Sequence, residues 1–399
     1  MHDVVGTIAL GWALVAGTVE LEAARRFVFA RLRRERARSS DLTDVRVLVI
    51  RPCAGCDPWL EESLRSIASA RCTAAIACRI AIADASDAAH PTGEAAAKAL
   101  MAAGLDARVV LTAPRAPNRK AAQLAVAIAA EAAAFDVVLV ADGDVDLAGV
   151  DLDVLLTPLF ARDPEGAVWA PPVEVGREQT LGDRASASLL GASLHAFPIL
   201  ARLDRGGLVG KLFAVRRDAL ESIGGFAALT SHLGEDMELA RLLRARGHTI
   251  AAAPITARSL STGRTWEQAE DRFGRWLKVI RAQRPLLLAS YPLLFLATLP
   301  LLGLAAITAL SAPRLALAIA LIAVATRAAV ALAAGAASGR TVPMARLAVD
   351  VLLADALLAG AFVRALRSRH VVWRDVALTI DRGGLLRAPG DWASRSRVR

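Results

Sequence analysis

Val137-Val138-Leu139-Val140-Ala141-Asp142-Gly143-Asp144-Val145-Asp146 runs five apolar residues straight into carboxylates two positions apart. An unbroken β-prone run describes a strand buried on both faces, and the acidic turn puts charge at its carboxyl end. Outward from it, short apolar runs alternate with helical ones. Val45–Ile50, Arg79–Ala83 and Arg108–Leu111 read as strands, and Pro58–Ala70, Ala95–Ala103 and Ala121–Ala134 as helices. Within the first helix Leu60, Leu64 and Ile67 recur every three or four residues. This alternation between Thr43 and Pro285 predicts an α/β domain with a mostly parallel sheet. Ligands of such sheets bind beyond the carboxyl ends of the strands, where Asp84 and Asp142 both fall.

The chain of 399 residues is 55% hydrophobic, too apolar for an ordinary soluble protein, with the excess at its two ends. Leu286–Pro313 carries no charge and predicts a transmembrane helix, since about 20 apolar residues cross a hydrocarbon core. Leu315–Ser338 is similar except for Arg327, and Leu347–Val363 is interrupted by Asp350 and Asp355. At about 1.5 Å per residue, Arg327 lies roughly 16 Å from one helix end, and the aspartates roughly 12 and 20 Å from the next helix's start. The depths overlap, which predicts an ion pair between adjacent helices. The competing reading lays the last segment in the interface with wet aspartates.

Val4–Val19 is a shorter apolar run without the features of a signal peptide. Arg25, Arg26, Arg31, Arg33, Arg34, Arg36 and Arg38 follow it, which by the positive-inside rule places the start of the chain outside and the next domain in the cytoplasm; the expected localisation is the inner membrane, as a multi-pass protein. Three full crossings after Pro285 then leave the basic tail outside, so the aspartate-bearing segment is expected not to span. The expected organisation is an anchor at 1–24, a catalytic domain at 42–263, an amphipathic interfacial helix at 264–284, a membrane region at 286–366 and a basic tail at 367–399. A net charge of +9 points to anionic headgroups, not nucleic acid, because the arginines gather beside apolar segments. Cys53, Cys56, Cys72 and Cys78 lack the spacing of a zinc site and read as structural thiols, kept reduced in a cytoplasmic domain.

Four constellations carry chemistry. Asp142 and Asp144 can hold a divalent cation, Mn2+ or Mg2+, that keeps open positions for phosphate oxygens; the alternative is an acidic turn before a helix. Asp84 can accept from a uracil imide or a ribose hydroxyl, or close a turn with Ser86 and Asp87. Lys120 precedes a helix, facing a nucleotide phosphate or solvent. Glu235-Asp236 opens a helix, where carboxylates complement the dipole; functionally, Asp236 is a general base, kept ionised by that dipole. Arg272, Arg275 and Trp276 share one helical face and can meet a diphosphate, although Trp266, Ala269, Phe273, Trp276 and Ile280 also form the stripe of an interfacial helix. Gly206-Gly207-Leu208-Val209-Gly210-Lys211 is no phosphate loop, since Arg205 stands at the first glycine position and Leu212 at the Ser/Thr position.

In this order the motifs resemble family 2 of the inverting glycosyltransferases, and within it the ceramide glucosyltransferase branch, also called family 21, to which bacterial hopanoid-associated glycosyltransferases are similar. Val47–Leu64 resembles the opening strand and Gly-x-Asp-Pro loop, Asn118-Arg119-Lys120 the Asn-x-Lys, Asp142-Gly143-Asp144 the Asp-x-Asp, Gly234-Glu235-Asp236 the catalytic acid segment, and Arg272–Trp276 the Gln/Arg-x-x-Arg-Trp. Val371–Arg374 resembles the branch's ending and supports a cytosolic tail. The opening loop departs from the pattern, with Arg51 and two cysteines. The resemblance implies a GT-A type domain flanked by membrane helices. It assigns Asp84, Lys120, Asp142, Arg272, Arg275 and Trp276 to the nucleotide sugar, Asp142 and Asp144 to the metal, and Asp236 to the base. The expected reaction moves a hexose from a UDP-sugar to a lipid hydroxyl. A polysaccharide synthase and a non-catalytic nucleotide-binding scaffold are the rivals.

Overall fold

The computed structural model describes residues 2–34, 42–176, 178–192, 206–338, 343–373, 376–381 and 383–387. Arg36, Arg38 and Arg205, Arg374, and the tail beyond residue 387 lie outside the described residues. The chain folds as two units, one α/β and one helical.

The α/β unit is drawn from residues 37–172, 204–262 and 369–399. Its strands are β1 (Arg46–Pro52), β2 (Ala75–Ile82), β3 (Asp106–Leu111), β4 (Val137–Ala141), β5 (Val145–Asp146) and β6 (Ala167–Trp169). After β7 (Pro172–Val175), where the chain passes to the helical unit, come β8 (Leu212–Arg216), β9 (Ile250–Ala252) and β10 (Ala257–Leu260). The main sheet runs β3-β2-β1-β4-β8-β6-β9. Pairing is parallel from β3 to β4, antiparallel on both sides of β8, and parallel again between β6 and β9. The unbroken apolar run of β4 is wholly buried, as a central strand covered on both faces requires. Successive strands step outward from β1 to β3, and the chain then returns to place β4 on the other side of β1. The carboxyl ends of β1 and β4 therefore flank the point where strand order reverses, the place such sheets offer a ligand.

Several elements differ in extent from the sequence pattern. β2 begins at Ala75, the second helix is Ala89–Ala102 and the next is Arg119–Ala129. That last helix starts at Asn118, whose side chain accepts from Ala121 N–H as an N-cap. A separate sheet, β11 (His370–Trp373), β12 (Val376–Ile380) and β13 (Leu386–Arg387), is antiparallel.

The helical unit contains residues 1–36, 173–203 and 263–368. Among the described residues, two of its helices are long and apolar enough to cross a membrane, over Val4–Arg26 and Pro313–Ala336. The N-terminal apolar run does not stop at Val19: helix continues to Arg34. A Cβ at Gly17 would stand 2.9 Å from Thr326 Oγ1, and one at Gly6 2.6 Å from Leu315 Cδ2. Small residues thus let these two helices approach closely.

Leu286–Pro313 is not one continuous helix. It forms Pro285–Leu293 and Thr298–Thr308, bent by 41° at the break, and only the two together are long enough to count as a span. Pro292 inside the first piece lacks an N–H and crowds the preceding turn. Of the charges on the adjacent helices, Arg327 pairs with Asp355 as their depths predict, and Asp350 takes a partner on another helix. Arg327 Nη2 lies 2.8 Å from Asp355 Oδ1, and Asp350 accepts from Arg184 Nε at 2.7 Å. Both aspartates are buried, so neither is wet.

Candidate active site

Asp142-Gly143-Asp144 turns the chain from β4 into β5, and its backbone is fixed before its carboxylates are considered. Arg51, at the end of β1, is fully buried and donates to three carbonyls: Ser63 O at 3.1 Å, Asp142 O at 3.1 Å and Val145 O at 2.7 Å. The departure of the opening loop from the family pattern is thus an internal brace for the acidic turn. Burial pulls the Arg51 pKa below its ordinary value, with the Asp144 and Asp142 charges among the influences opposing it. A Cβ at Gly143 would meet Cys53 Sγ at 3.1 Å and Leu60 Cδ1 at 3.2 Å, so little more than glycine fits.

Two ammonium groups gather the carboxylates. Lys120 Nζ lies 2.7 Å from Asp142 Oδ1, 3.1 Å from Glu235 Oε1 and 2.8 Å from the Gly210 carbonyl oxygen. Burial works against its charge, but Asp142, Glu235 and Asp236 outweigh it and hold the lysine pKa above its ordinary value. Lys211 Nζ lies 2.6 Å from both Asp144 oxygens and 3.4 Å from Asp142 Oδ2. Asp236 accepts from Gly210 N–H through Oδ2 and from Met237 N–H through Oδ1, each at 2.8 Å. Its pKa is pushed up to about 6, first by loss of water and then by the neighbouring Glu235, with Lys120 opposing. Desolvation is the largest cause of that rise, and the backbone N–H groups of Gly210 and Met237 work against it.

The loop before Asp236 is held from two sides. Asn118, fully buried, donates from Nδ2 to His232 O at 2.6 Å and to Glu235 Oε2 at 3.0 Å. Across the loop, Leu386 N–H donates to Ser231 O and Leu233 N–H to Gly384 O, so the C-terminal sheet pairs with the chain on both sides of His232.

The α/β unit thus brings together Lys120, Asp142, Asp144 and Asp236. Asp84 stands at the carboxyl end of β2, with its carboxylate accepting from Ser86 N–H at 2.8 Å and from the Ser86 hydroxyl. These bonds, the hydroxyl first, hold its pKa below the usual carboxylate value, so the turn-closing geometry is realised. Lys211, Glu235, Asn118 and Arg51 join the site although the sequence pattern assigns none of them a role. Lys211 had one legible sign, a lone cation directly before the apolar run Leu212–Val215. Because β8 is antiparallel to β4, with Ala141 opposite Leu212, the start of β8 lies where the parallel strands end.

Arg272, Arg275 and Trp276 belong to the helical unit, on the helix Trp266–Gln283, which opens with a capping box at Thr265 and Gln268. Arg272 is buried and donates from Nη1 to Glu174 Oε1 at 2.9 Å, and Glu174 also takes Arg264. Its guanidinium lies over the Trp276 ring, 5.0 Å from the centroid, the contact expected of residues four apart. Ala269, Phe273, Leu277 and Ile280 are buried. Most of the stripe read as lipid-facing therefore packs on protein.

The family described as Glycosyl transferase family 21 matches residues 6–386. No curated protein matches. Among solved structures, the mannosyltransferase PcManGT from Pyrobaculum calidifontis, in complex with GDP-Man and Mn2+, is 18% identical, with 90% of this chain and 99% of that one covered and a TM-score of 0.40. Glucosyl-3-phosphoglycerate synthase from Mycobacterium tuberculosis is 17% identical over 59% of this chain and 79% of that one, with a TM-score of 0.35. S. aureus TarS 1-349 is 12% identical over 86% and 98%, with a TM-score of 0.34. At these TM-scores the assignment rests on the family match alone. The chain belongs to glycosyl transferase family 21 and is a glycosyltransferase.

Proposed function

We propose that this enzyme transfers a hexose from a UDP-sugar to the hydroxyl of a membrane lipid, ceramide-like or hopanoid, with inversion and at the cytoplasmic face. The observation carrying the reading is the junction made by Lys120, whose ammonium joins the Asp142 turn to the Glu235-Asp236 helix start. A donor-binding acidic turn and a base are thereby held in one cluster. The two membrane-length helices support a lipid as acceptor.

Asp236 Oδ takes the proton as the acceptor oxygen bonds to the anomeric carbon and the bond from that carbon to the diphosphate oxygen breaks, releasing UDP. With its pKa raised to about 6, Asp236 is ionised at pH 7 yet more basic than an ordinary carboxylate. Asp142 and Asp144 suit a hard divalent cation, since their oxygens already converge on one cationic position, that of the Lys211 ammonium. Among the described residues no group of three or more His, Cys, Asp or Glu side chains is placed to hold a metal, so Mn2+ or Mg2+ would rest on these two carboxylates, with phosphate oxygens completing its shell. Bound there, it would neutralise charge on the departing diphosphate. Asp84 is assigned to the nucleotide, and Arg275 and Trp276 to the diphosphate and acceptor. Arg272, which also donates to Glu174, is assigned to the same diphosphate and acceptor set.

The test is UDP release by purified protein in detergent with Mn2+, across UDP-sugars against ceramide, diacylglycerol and a polyhydroxylated hopanoid. Release that requires one sugar with one lipid, and vanishes in Asp236→Asn while UDP still binds, is expected. Turnover retained by Asp236→Asn removes the base assignment, and binding without release on any lipid removes the lipid acceptor.

A further inference from the structure

Lys211 takes no part in the transfer as written above, yet its ammonium sits where the carboxylates of Asp142 and Asp144 converge. Four carboxylates, Asp142, Asp144, Glu235 and Asp236, surround two ammonium groups, Lys120 and Lys211. The two lysines are not equivalent. Lys120 is fixed by bonds to both acidic segments and to the Gly210 carbonyl. Lys211 contacts only the two proposed metal ligands among its described partners, so every oxygen it touches is one that a divalent cation needs. An ammonium is a compact charge on a flexible four-carbon stem, here rooted at the start of β8, and it can leave the carboxylates without breaking the sheet.

We infer that Lys211 is the placeholder for the divalent cation and, once displaced, a ligand of the donor's diphosphate. The inference rests on Asp142 and Asp144 being metal ligands. In the donor-free enzyme the ammonium neutralises the acidic turn and competes with free metal. When metal and nucleotide sugar enter together, Lys211 exchanges the carboxylates for diphosphate oxygens, which present the same kind of acceptor. No bond is made or broken covalently, and the cation brought by the donor replaces the charge removed from the turn. Lys211 is thus a positioning and donor-binding residue that couples metal binding to nucleotide binding.

The coupling predicts opposite changes when its charge is removed. Lys211→Met should bind Mn2+ about tenfold more tightly than wild type without nucleotide, and at saturating Mn2+ should bind UDP about tenfold more weakly. A lysine that merely held the turn together would on removal weaken both. Mn2+ binding by full-length protein in detergent is read from the electron paramagnetic resonance of the free ion, and UDP binding by titration calorimetry. Lys211→Arg, which keeps the charge, should stay near wild type for free Mn2+, and Lys211→Gln repeats the measurement should the Met variant not fold. Free Mn2+ affinity that is unchanged or weaker in the uncharged variants, or UDP affinity that does not fall, overturns the inference. Absence of Mn2+ binding by wild type even with UDP overturns instead the assignment of Asp142 and Asp144, and the inference with it.

Discussion

At the residue scale, the chemistry depends on how far Asp236 departs from an ordinary aspartate. Burial beside Glu235 holds it at about 6 in the folded protein against an ordinary value of 3.8. Below that pH the base carries its proton, so kcat should fall about tenfold per pH unit on the acid side, with a midpoint near pH 6. Glu235→Gln removes the second cause of the shift and should move the midpoint toward lower pH, while burial keeps it above the ordinary value. A steady-state pH profile from 4.5 to 8 reads both; a midpoint that does not move in Glu235→Gln denies that electrostatic contribution. The spacing Asp142-Gly143-Asp144 was legible because a charged pair after an apolar strand is conspicuous. Arg51 stands out in the sequence only as a departure from a pattern, since a buried arginine donating to three carbonyls has no local signature. Lys211 stands in a stretch whose spacing fails as a phosphate loop.

At the scale of elements, the C-terminal sheet is tied to catalysis through the loop it holds. Gly384 and Leu386 bond the backbone on either side of His232, at Leu233 and Ser231, three and five residues before Asp236. Ending the chain at Trp373 removes β12 and β13 and should lower kcat up to about a hundredfold, the cost of a misplaced base, while UDP affinity stays within about threefold. Steady-state kinetics beside calorimetry separate the two, and loss of UDP binding would mean the sheet supports the whole fold. The pair Arg327–Asp355 joins the helix Pro313–Ser338 to Met344–Arg367. Breaking a buried pair from one side costs about 3–5 kcal/mol, whereas apolar replacement of both is often neutral. Arg327→Met and Asp355→Leu should each lower the unfolding temperature in detergent, and the double variant by less than their sum; strictly additive losses would show that the two charges do not act as a pair. The pair was legible from charge depth along two apolar runs, whereas the break between Leu293 and Thr298 was hidden because hydropathy counts residues without counting hydrogen-bond donors.

At the scale of the whole molecule, the cysteines offer a test of which side of the membrane the α/β unit occupies. Cys56 is exposed and Cys53 buried, while burial pushes the Cys72 and Cys78 thiols up to about 12 and about 11, out of reach of a thiolate-directed reagent. A membrane-impermeant maleimide should leave Cys56 unmodified in intact spheroplasts and label it in inverted vesicles; labelling from outside would place the catalytic unit on the opposite face. The fold class, the acidic turn after β4, the acidic helix start and the apolar character of both ends are legible in the residues alone, because each is written in contiguous residues through a local period, a strand-end charge or a run without charge. Only the tertiary structure decided that residues 173–203 leave the α/β unit for the helical one, that the tail strands return to hold the Asp236 loop, and that Lys211 meets Asp144. Those depend on one reversed strand and on pairings between distant segments, where the energy lies in contacts that no window of neighbouring residues contains.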